Sequence, residues 1–335
     1  MFEIGKIPPE ILEKIVMRPM RDSRVKRPEV LLRPKTGEDC SAVDFGGEYC
    51  VLSADPITGA AADVGYLAVQ INCNDIYAAG AEPFGLLLTV LLPPGSGEEL
   101  LQEIMDGAFR GAGERNIEIL GGHTEVTDAV CKPLVSAAVV GRTRGRKILS
   151  TGGARQGQDI LMTKWAGTEG TAILAEEKES LLKEHMTAEE LETARGFKAF
   201  LSVGKESEIA FAHGATAMHD ATEGGILGAV WEVAECSGCG VEVFAEEIPV
   251  REETAKICGT LGIDPLRLIS SGTMVIATDN GQELAENLRQ SGVPAVVIGK
   301  VTESGRFLVS GGKKTPLEQP ETDALYAALK RRQER

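Results

Sequence analysis

Three aspartates early in the chain stand where carboxylates do chemistry more readily than packing. Asp39 lies in "TGEDCSAV", Asp55 closes "EYCVLSAD", and Asp75 sits inside "INCNDIYAAGAEP" with Asn72 one turn earlier on the same face. An aspartate inside a helix of Ile and Ala costs stability unless it is paired or liganded, so Asp75 asks for a partner. Further along, a glycine pair precedes His123 and Glu125 in "IEILGGHTEV", and Asp220 ends an apolar run in "MHDATEGG". If several of these carboxylates converge, two charges about 4 Å apart repel by about 4 kcal/mol at an effective dielectric of about 20. Bound Mg²⁺ offsets that repulsion, because it takes oxygen ligands and bridges to nucleotide phosphates. The chemistry on offer is metal-assisted handling of phosphate. Taken singly, each aspartate also fits a helix cap, a turn or a surface charge, so the set carries the argument.

The cations upstream of Gly37 are Arg33 and Lys35, either of which could stabilise charge developing on a phosphoryl group; a solvated lysine is the alternative. Both belong to a basic stretch beginning at Arg18, which reads as a solvated arm or as a phosphate clamp. The usual nucleotide loops are missing: Gly204-Lys205 is followed by Glu206, Gly299-Lys300 by Val301, and no G-x-G-x-x-G opens a helix. A nucleotide must be held another way. Cys236-x-x-Cys239 lacks the second pair that zinc requires, so buried small side chains are the default. His213 suits a helix C-terminus, and His219 a packed strand end.

These groups need elements to position them. "EYCVLSAD" predicts a strand ending at Asp55, and Val64, Leu67, Ala68 and Ile71 predict a helix over 64–79 that stops at Gly80. "FGLLLTVLLP" predicts a second strand, and Ser96 with Glu99 predicts a capping box opening the next helix. "IEILGGHT" predicts a strand running into a glycine turn, and "PLVSAAVVGRT" another strand. Glycine and basic residues cluster at 144–157, which puts a domain boundary near residue 150. Beyond it "DILMTKW", "ATAMHD", "VEVFA", "GTMVIAT" and "AVVIGKV" predict strands, Thr187–Glu190 a second capping box, and Gly224–Cys236 a helix. A short helix is expected over Pro9–Val16.

The bulk numbers agree with an α/β protein of two domains. The chain has 335 residues, 43% hydrophobic but only 4% aromatic, so its cores are expected to be aliphatic. A formal charge of −15 argues against nucleic acid or an anionic membrane as main partner. Seven cysteines in so long a chain suggest a reducing, cytoplasmic setting, and no apolar run reaches the ~20 residues of a membrane helix.

The segments "GEDCSA", "SADPIT", "NCNDIYAAGAEP", "LGGHTEV", "STGGARQGQDILMT", "MHDATEGG" and "SSGTMVIAT" follow one another in an order that resembles the AIR synthase (PurM-like) superfamily of ATP-binding enzymes. The resemblance implies an α/β (α+β) fold of two domains. The N-terminal sheet would form a barrel at a homodimer interface, and the C-terminal mixed sheet would be flanked by helices. It divides the chain into an N-terminal arm (1–36), an ATP-binding domain (37–148) and a C-terminal domain (149–335). It implies ATP with Mg²⁺ in a cleft near that interface, the metal held by Asp39, Asp55 and Asp75. Glu125 would substitute for the acid that His123 replaces. Asn72, Gly121, Gly122, His123, Thr124, Thr222, Gly224 and Gly225 would contact the nucleotide, and Asp75, Lys35 and Asp220 would act in catalysis.

Within the superfamily the likeness is nearest to HypE-like hydrogenase-maturation proteins, through "MHDATEGG", with two departures. Glu223 stands where those proteins carry arginine, and the sequence closes on "ALYAALKRRQER" without the terminal cysteine that carries their carbamoyl group. The expected function is phosphoryl transfer from ATP to an oxygen of an unidentified small-molecule or peptide-borne acceptor. Thiamine-monophosphate kinase-like activity, or a non-catalytic nucleotide-binding maturation or partner protein, are the alternatives.

Overall fold

A helix without a polar face organises the first half of the molecule. In the computed structural model the described residues are 28–33, 37–38, 40–57, 63–319 and 322–330, with isolated positions 10, 13, 14, 18 and 22. Lys35, Asp39 and most of the predicted 9–16 helix lie outside them. The chain divides into two compact units, Cys40–Ile148 joined by the strand before it, and Leu149–Arg335 joined by Gly37 and Glu38.

The first unit runs β1 (Val30–Leu32), β2 (Ser41–Asp44), β3 (Tyr49–Ile57), α1 (Val64–Ala78), β4 (Ala81–Leu92), α2 (Glu98–Arg115), β5 (Glu118–Val126) and β6 (Leu134–Thr143). Its six strands form one mixed sheet in the order β1-β2-β3-β6-β4-β5, with β4 and β5 parallel and the other pairs antiparallel. Helix α1 is buried almost all round, because β3, β4 and β6 cover one side and α2 the other. That is why its sequence shows apolar residues in every direction rather than a stripe.

Pleating gives the sheet two different faces. On β6, Val135, Ala137 and Val139 are fully buried towards α1, while Ser136, Ala138 and Val140 between them are half-buried on the other face. That outer face also carries Leu52, Leu87 and Leu120, which are 39%, 48% and 50% exposed. Within one chain the sheet is open.

The second unit comprises β7 (Asp159–Thr163), α3 (Thr168–Glu177), α4 (Glu179–Leu182), α5 (Ala188–Arg195), α6 (Gly204–Ala212), β8 (Ala217–Ala221), α7 (Gly225–Ser237), β9 (Gly240–Phe244), α8 (Glu252–Leu261), β10 (Thr273–Thr278), α9 (Gly281–Gln290), β11 (Ala295–Thr302), β12 (Arg306–Ser310), β13 (Lys313–Pro316) and α10 (Ala324–Lys330). Its seven-stranded mixed sheet has the order β13-β12-β9-β11-β7-β10-β8. Both units are therefore mixed α/β, with helices on the sheets, and the buried core of the second is largely aliphatic, with Trp231 and Phe197 among its few aromatics. Among the described residues no helix is long and apolar enough to cross a membrane.

Two local expectations are corrected. Gly97, not Ser96, is the N-cap of α2; the Ser96 hydroxyl turns back to donate to the Pro93 carbonyl at 2.7 Å, and Glu98 and Glu99 supply negative charge at the helix start instead. The Gly121–Gly122 pair is not a turn but the middle of β5. Both glycines adopt positive φ (148° and 145°), and a Cβ on Gly122 would stand 1.8 Å from the Leu88 carbonyl oxygen. The pair lets β5 lie directly against β4. By contrast, the Thr187–Glu190 capping box is present with both of its hydrogen bonds.

The closest approach between the two helices of the first unit is at Gly65, where an added Cβ would fall 1.9 Å from the Ile104 carbonyl oxygen of α2. Because backbone stands on both sides and cannot rotate away, Gly65→Ala should destabilise the protein by about 3 kcal/mol, the upper end of ordinary overpacking costs. Chemical denaturation of the variant against the wild type measures it.

Candidate functional site

Asp75 lies in the last turn of α1 and is 4% exposed. Two effects oppose its charge there: burial removes water, and the partial negative charge of the helix C-terminus repels a carboxylate. The Ser53 hydroxyl donates to its Oδ2 at 2.5 Å, which fixes the rotamer and eases part of the cost. Ser53 is two residues before Asp55 on β3, so the pleat puts both on the face towards α1. Asn72, one turn before Asp75 and fully buried, uses its amide on backbone: Oδ1 accepts from Asp55 N at 2.7 Å, and Nδ2 donates to Asp55 O at 3.2 Å and Ala68 O at 2.9 Å. Asn72 is thus a clamp on the strand end that displays Asp55, an exposed residue. The Cys40 thiol, next to Asp39 in sequence, donates to the Asp75 carbonyl at 3.1 Å.

The predicted groups on β5 are arranged differently. His123 and Glu125 pair with Thr89 and Leu91 on the outer face, whereas Gly122 and Thr124 pair with the buried Leu88 and Val90. His123 Nε2 and Glu125 Oε2 are 3.3 Å apart, and both side chains are exposed. Glu125 therefore points away from the side that holds Asp55 and Asp75 in the same chain. Its offset of two from His123 repeats the face of His123, so within one chain it lies across the sheet from those two aspartates. Gly122 and Thr124 are on the correct face but three strand spacings from β3, about 14 Å at ordinary sheet geometry.

Among the described residues no three His, Cys, Asp or Glu side chains gather into a metal-binding group. Asp55 and Asp75 nevertheless suit magnesium, which takes hard oxygen donors and is commonly held by one or two carboxylates with waters and phosphate oxygens.

In the second unit, Asp220 is 1% exposed and sits within β8 opposite Met274 of β10. Its neighbour His219 is 3% exposed and faces Glu232 of α7, with Nε2 2.9 Å from Oε2. Gly37 packs on the backbone of Glu232, and Glu38 accepts from the Ser150 hydroxyl at 2.5 Å and the Thr151 N–H at 3.4 Å. The two residues that precede Asp39 are therefore anchored, a role hidden in "GEDCSA" because Glu38 reads as one more surface acid.

Thr222, Gly224 and Gly225 form the turn into α7, with φ of 88° at Gly224 and 63° at Gly225. Glu223 accepts from the Tyr326 hydroxyl at 2.7 Å. Close to this turn two buried acids are perturbed. Burial raises Glu169 from 4.5 to about 7, reinforced by Asp323 and Glu223, and burial raises Asp323 from 3.8 to about 6 against the three backbone N–H groups that it accepts.

Residues 37–143 match the AIR synthase related protein N-terminal domain and residues 155–311 the corresponding C-terminal domain. The chain is 26% identical to a putative hydrogenase expression/formation protein of Methanocaldococcus jannaschii, over 91% of this chain and 90% of that one. It is 30% identical to carbamoyl dehydratase HypE of Cupriavidus necator, over 74% of this chain and 70% of that one. Among solved structures, a chain of a HypE–HypF complex has a TM-score of 0.73 at 22% identity, covering 92% of this chain and 99% of that one. HypE in complex with ATP has a TM-score of 0.70 at 20% identity, covering 96% and 97%. The solved structures establish a common fold.

The raised acids give a pH dependence with a definite sign. A carboxyl that binds its proton more tightly folded than unfolded adds stability when protonated, and that stability is lost as pH rises through the folded value. For Glu169 the loss runs from its ordinary 4.5 to about 7 and amounts to about 3 kcal/mol. Thermal denaturation of the wild type should show a falling melting temperature across this window, and Glu169→Gln should flatten the fall.

Proposed function

The chain belongs to the AIR synthase related family, and on that footing we propose that it is an ATP- and Mg²⁺-dependent phosphoryl-transfer enzyme. Its acceptor is an oxygen of a small molecule or of a peptide-borne group. The observation that carries this reading is Asp75, a carboxylate buried at the negative end of a helix. A cation beside it removes both penalties at once. Likeness to a HypE that takes ATP supports the nucleotide.

Mg²⁺ at Asp55 and Asp75 would supply charge neutralisation to the phosphate oxygens, the largest part of phosphoryl-transfer catalysis. The protein's own part is positioning. Ser53 orients the Asp75 carboxylate, and Asn72 holds the Asp55 backbone. Asp39 is assigned to complete the metal shell and Lys35 to the phosphates. Gly122 leaves the backbone of β5 bare, and Thr124 adds a hydroxyl on the same face, so this strand suits a phosphate. The turn at Thr222–Gly225 is assigned to an anionic group of nucleotide or acceptor, and buried Asp220 to support of that turn. The exposed Leu52, Leu87 and Leu120 on the outer sheet face support a homodimer through that face.

Calorimetry with ATP and Mg²⁺ should show binding by the wild type that is weakened at least about tenfold in Asp55→Asn, since loss of even an outer-shell partner of a metal typically costs that much. A wild type that binds no ATP overturns the proposal. Light scattering should report a dimer, and Leu87→Asp combined with Leu120→Asp should yield a folded monomer.

A further inference from the structure

We infer that the C-terminal segment is a positioning element for the Thr222–Gly225 turn, acting through the carboxylate of Asp323 and the hydroxyl of Tyr326. Helix α7 opens without a side-chain cap of its own, since its N-cap residue is Gly224. The Gly224 N–H would be left an unsatisfied donor in a buried place. Asp323 satisfies it: Oδ2 accepts from Gly224 N at 2.7 Å, while Oδ1 accepts from Ile269 N at 3.2 Å and Leu325 N at 2.8 Å. One carboxylate, 2% exposed, therefore caps α7, ties down the loop before β10 and starts α10.

The turn cannot shift to find another partner. Gly225 is wedged so tightly against the 265–269 loop that a Cβ would approach the Leu266 carbonyl oxygen to 2.6 Å. From the outside, Tyr326 of α10 holds the Glu223 side chain. Helix α10 is itself fastened by Leu325 and Ala328, which are buried, and by Lys178 Nζ, which donates to the Leu329 carbonyl at 2.8 Å. This gives Glu223, an acid where HypE-like proteins carry arginine, a partner within its own chain. The carboxylate is turned to a phenol on α10, and the turn offers its backbone to a ligand without that charge in front.

The inference deepens the functional reading and rests on its assignment of the turn to a ligand. Two readouts keep the two apart. Hydrogen exchange at the Gly224 and Gly225 amides tests the latch whether or not ATP binds. In Asp323→Ala these amides should exchange at least about tenfold faster than in wild type, with α1 unchanged, as for local opening confined to one segment. With ATP as the probe, KM should rise at least about fivefold while kcat stays within about twofold, the signature of lost positioning rather than lost chemistry. Asp323→Asn, which keeps a carbonyl oxygen for Ile269 and Leu325, should fall between the two. Tyr326→Phe, at a half-buried site, keeps the test alive if Asp323→Ala fails to fold, and should speed exchange at Glu223 and Gly224. Wild-type exchange at Gly224 in a folded Asp323→Ala or Tyr326→Phe protein overturns the latch, and faster exchange with an unchanged ATP KM overturns its role in binding.

Discussion

The cost of a negative charge at the end of a buried helix constrains the first half of this molecule. α1 has no solvent-facing side, so Asp75 cannot turn to water, and the helix end supplies the wrong sign of field. A structure that retains such a group must hold it by hydrogen bonds, by a cation, or by both. The neighbouring chemistry follows from that requirement. Ser53 faces Asp75 because it shares a strand face with Asp55, and Asn72 faces β3 because it lies one turn from Asp75. The oxygen donors are gathered by two periodicities, two on the strand and about 3.6 on the helix, meeting at one place.

The same pleat separates what sequence order joins. Thr124 and Glu125 are adjacent residues, yet β5 directs them to opposite faces of the sheet. An acid two residues beyond His123 reproduces the orientation of His123, not of its neighbours. In the second unit a comparable division of labour holds between polar groups that support and backbone that is offered. Glu38 secures the segment before Asp39, and Asp323 secures the turn before α7. Neither needs to touch a ligand to matter to one.

Much of the fold is legible in the sequence where a single period dominates. α1, β4, β6 and the five strands β7 to β11 of the second sheet lie within a few residues of their predicted places, since long apolar runs bounded by glycine admit few alternatives. β1, β2, β12 and β13 escape notice because they are short and for the most part half-exposed or exposed, so no long apolar run marks them. The Ser96 capping motif misleads because the hydroxyl had a nearer acceptor in the Pro93 carbonyl. In the candidate site, that Asp55, Asp75 and Asn72 come close together is legible from spacing, and Ser53 could have been found by the same period of two. Asp323 could not: its contact with Gly224 spans 99 positions, and its place in the sequence marks it only as the cap of α10, not of α7.

The central assignment is that the buried Asp75 carboxylate engages Mg²⁺. Melting temperatures of the wild type and Asp75→Asn, each with chelator and with excess Mg²⁺ and ATP, test it most directly. The asparagine can still accept from Ser53 but carries no charge. Asp75→Asn is expected to gain little in melting temperature from Mg²⁺ and ATP, whereas the wild type gains strongly. A folded Asp75→Asn protein whose melting temperature rises with Mg²⁺ and ATP as much as that of the wild type overturns the assignment.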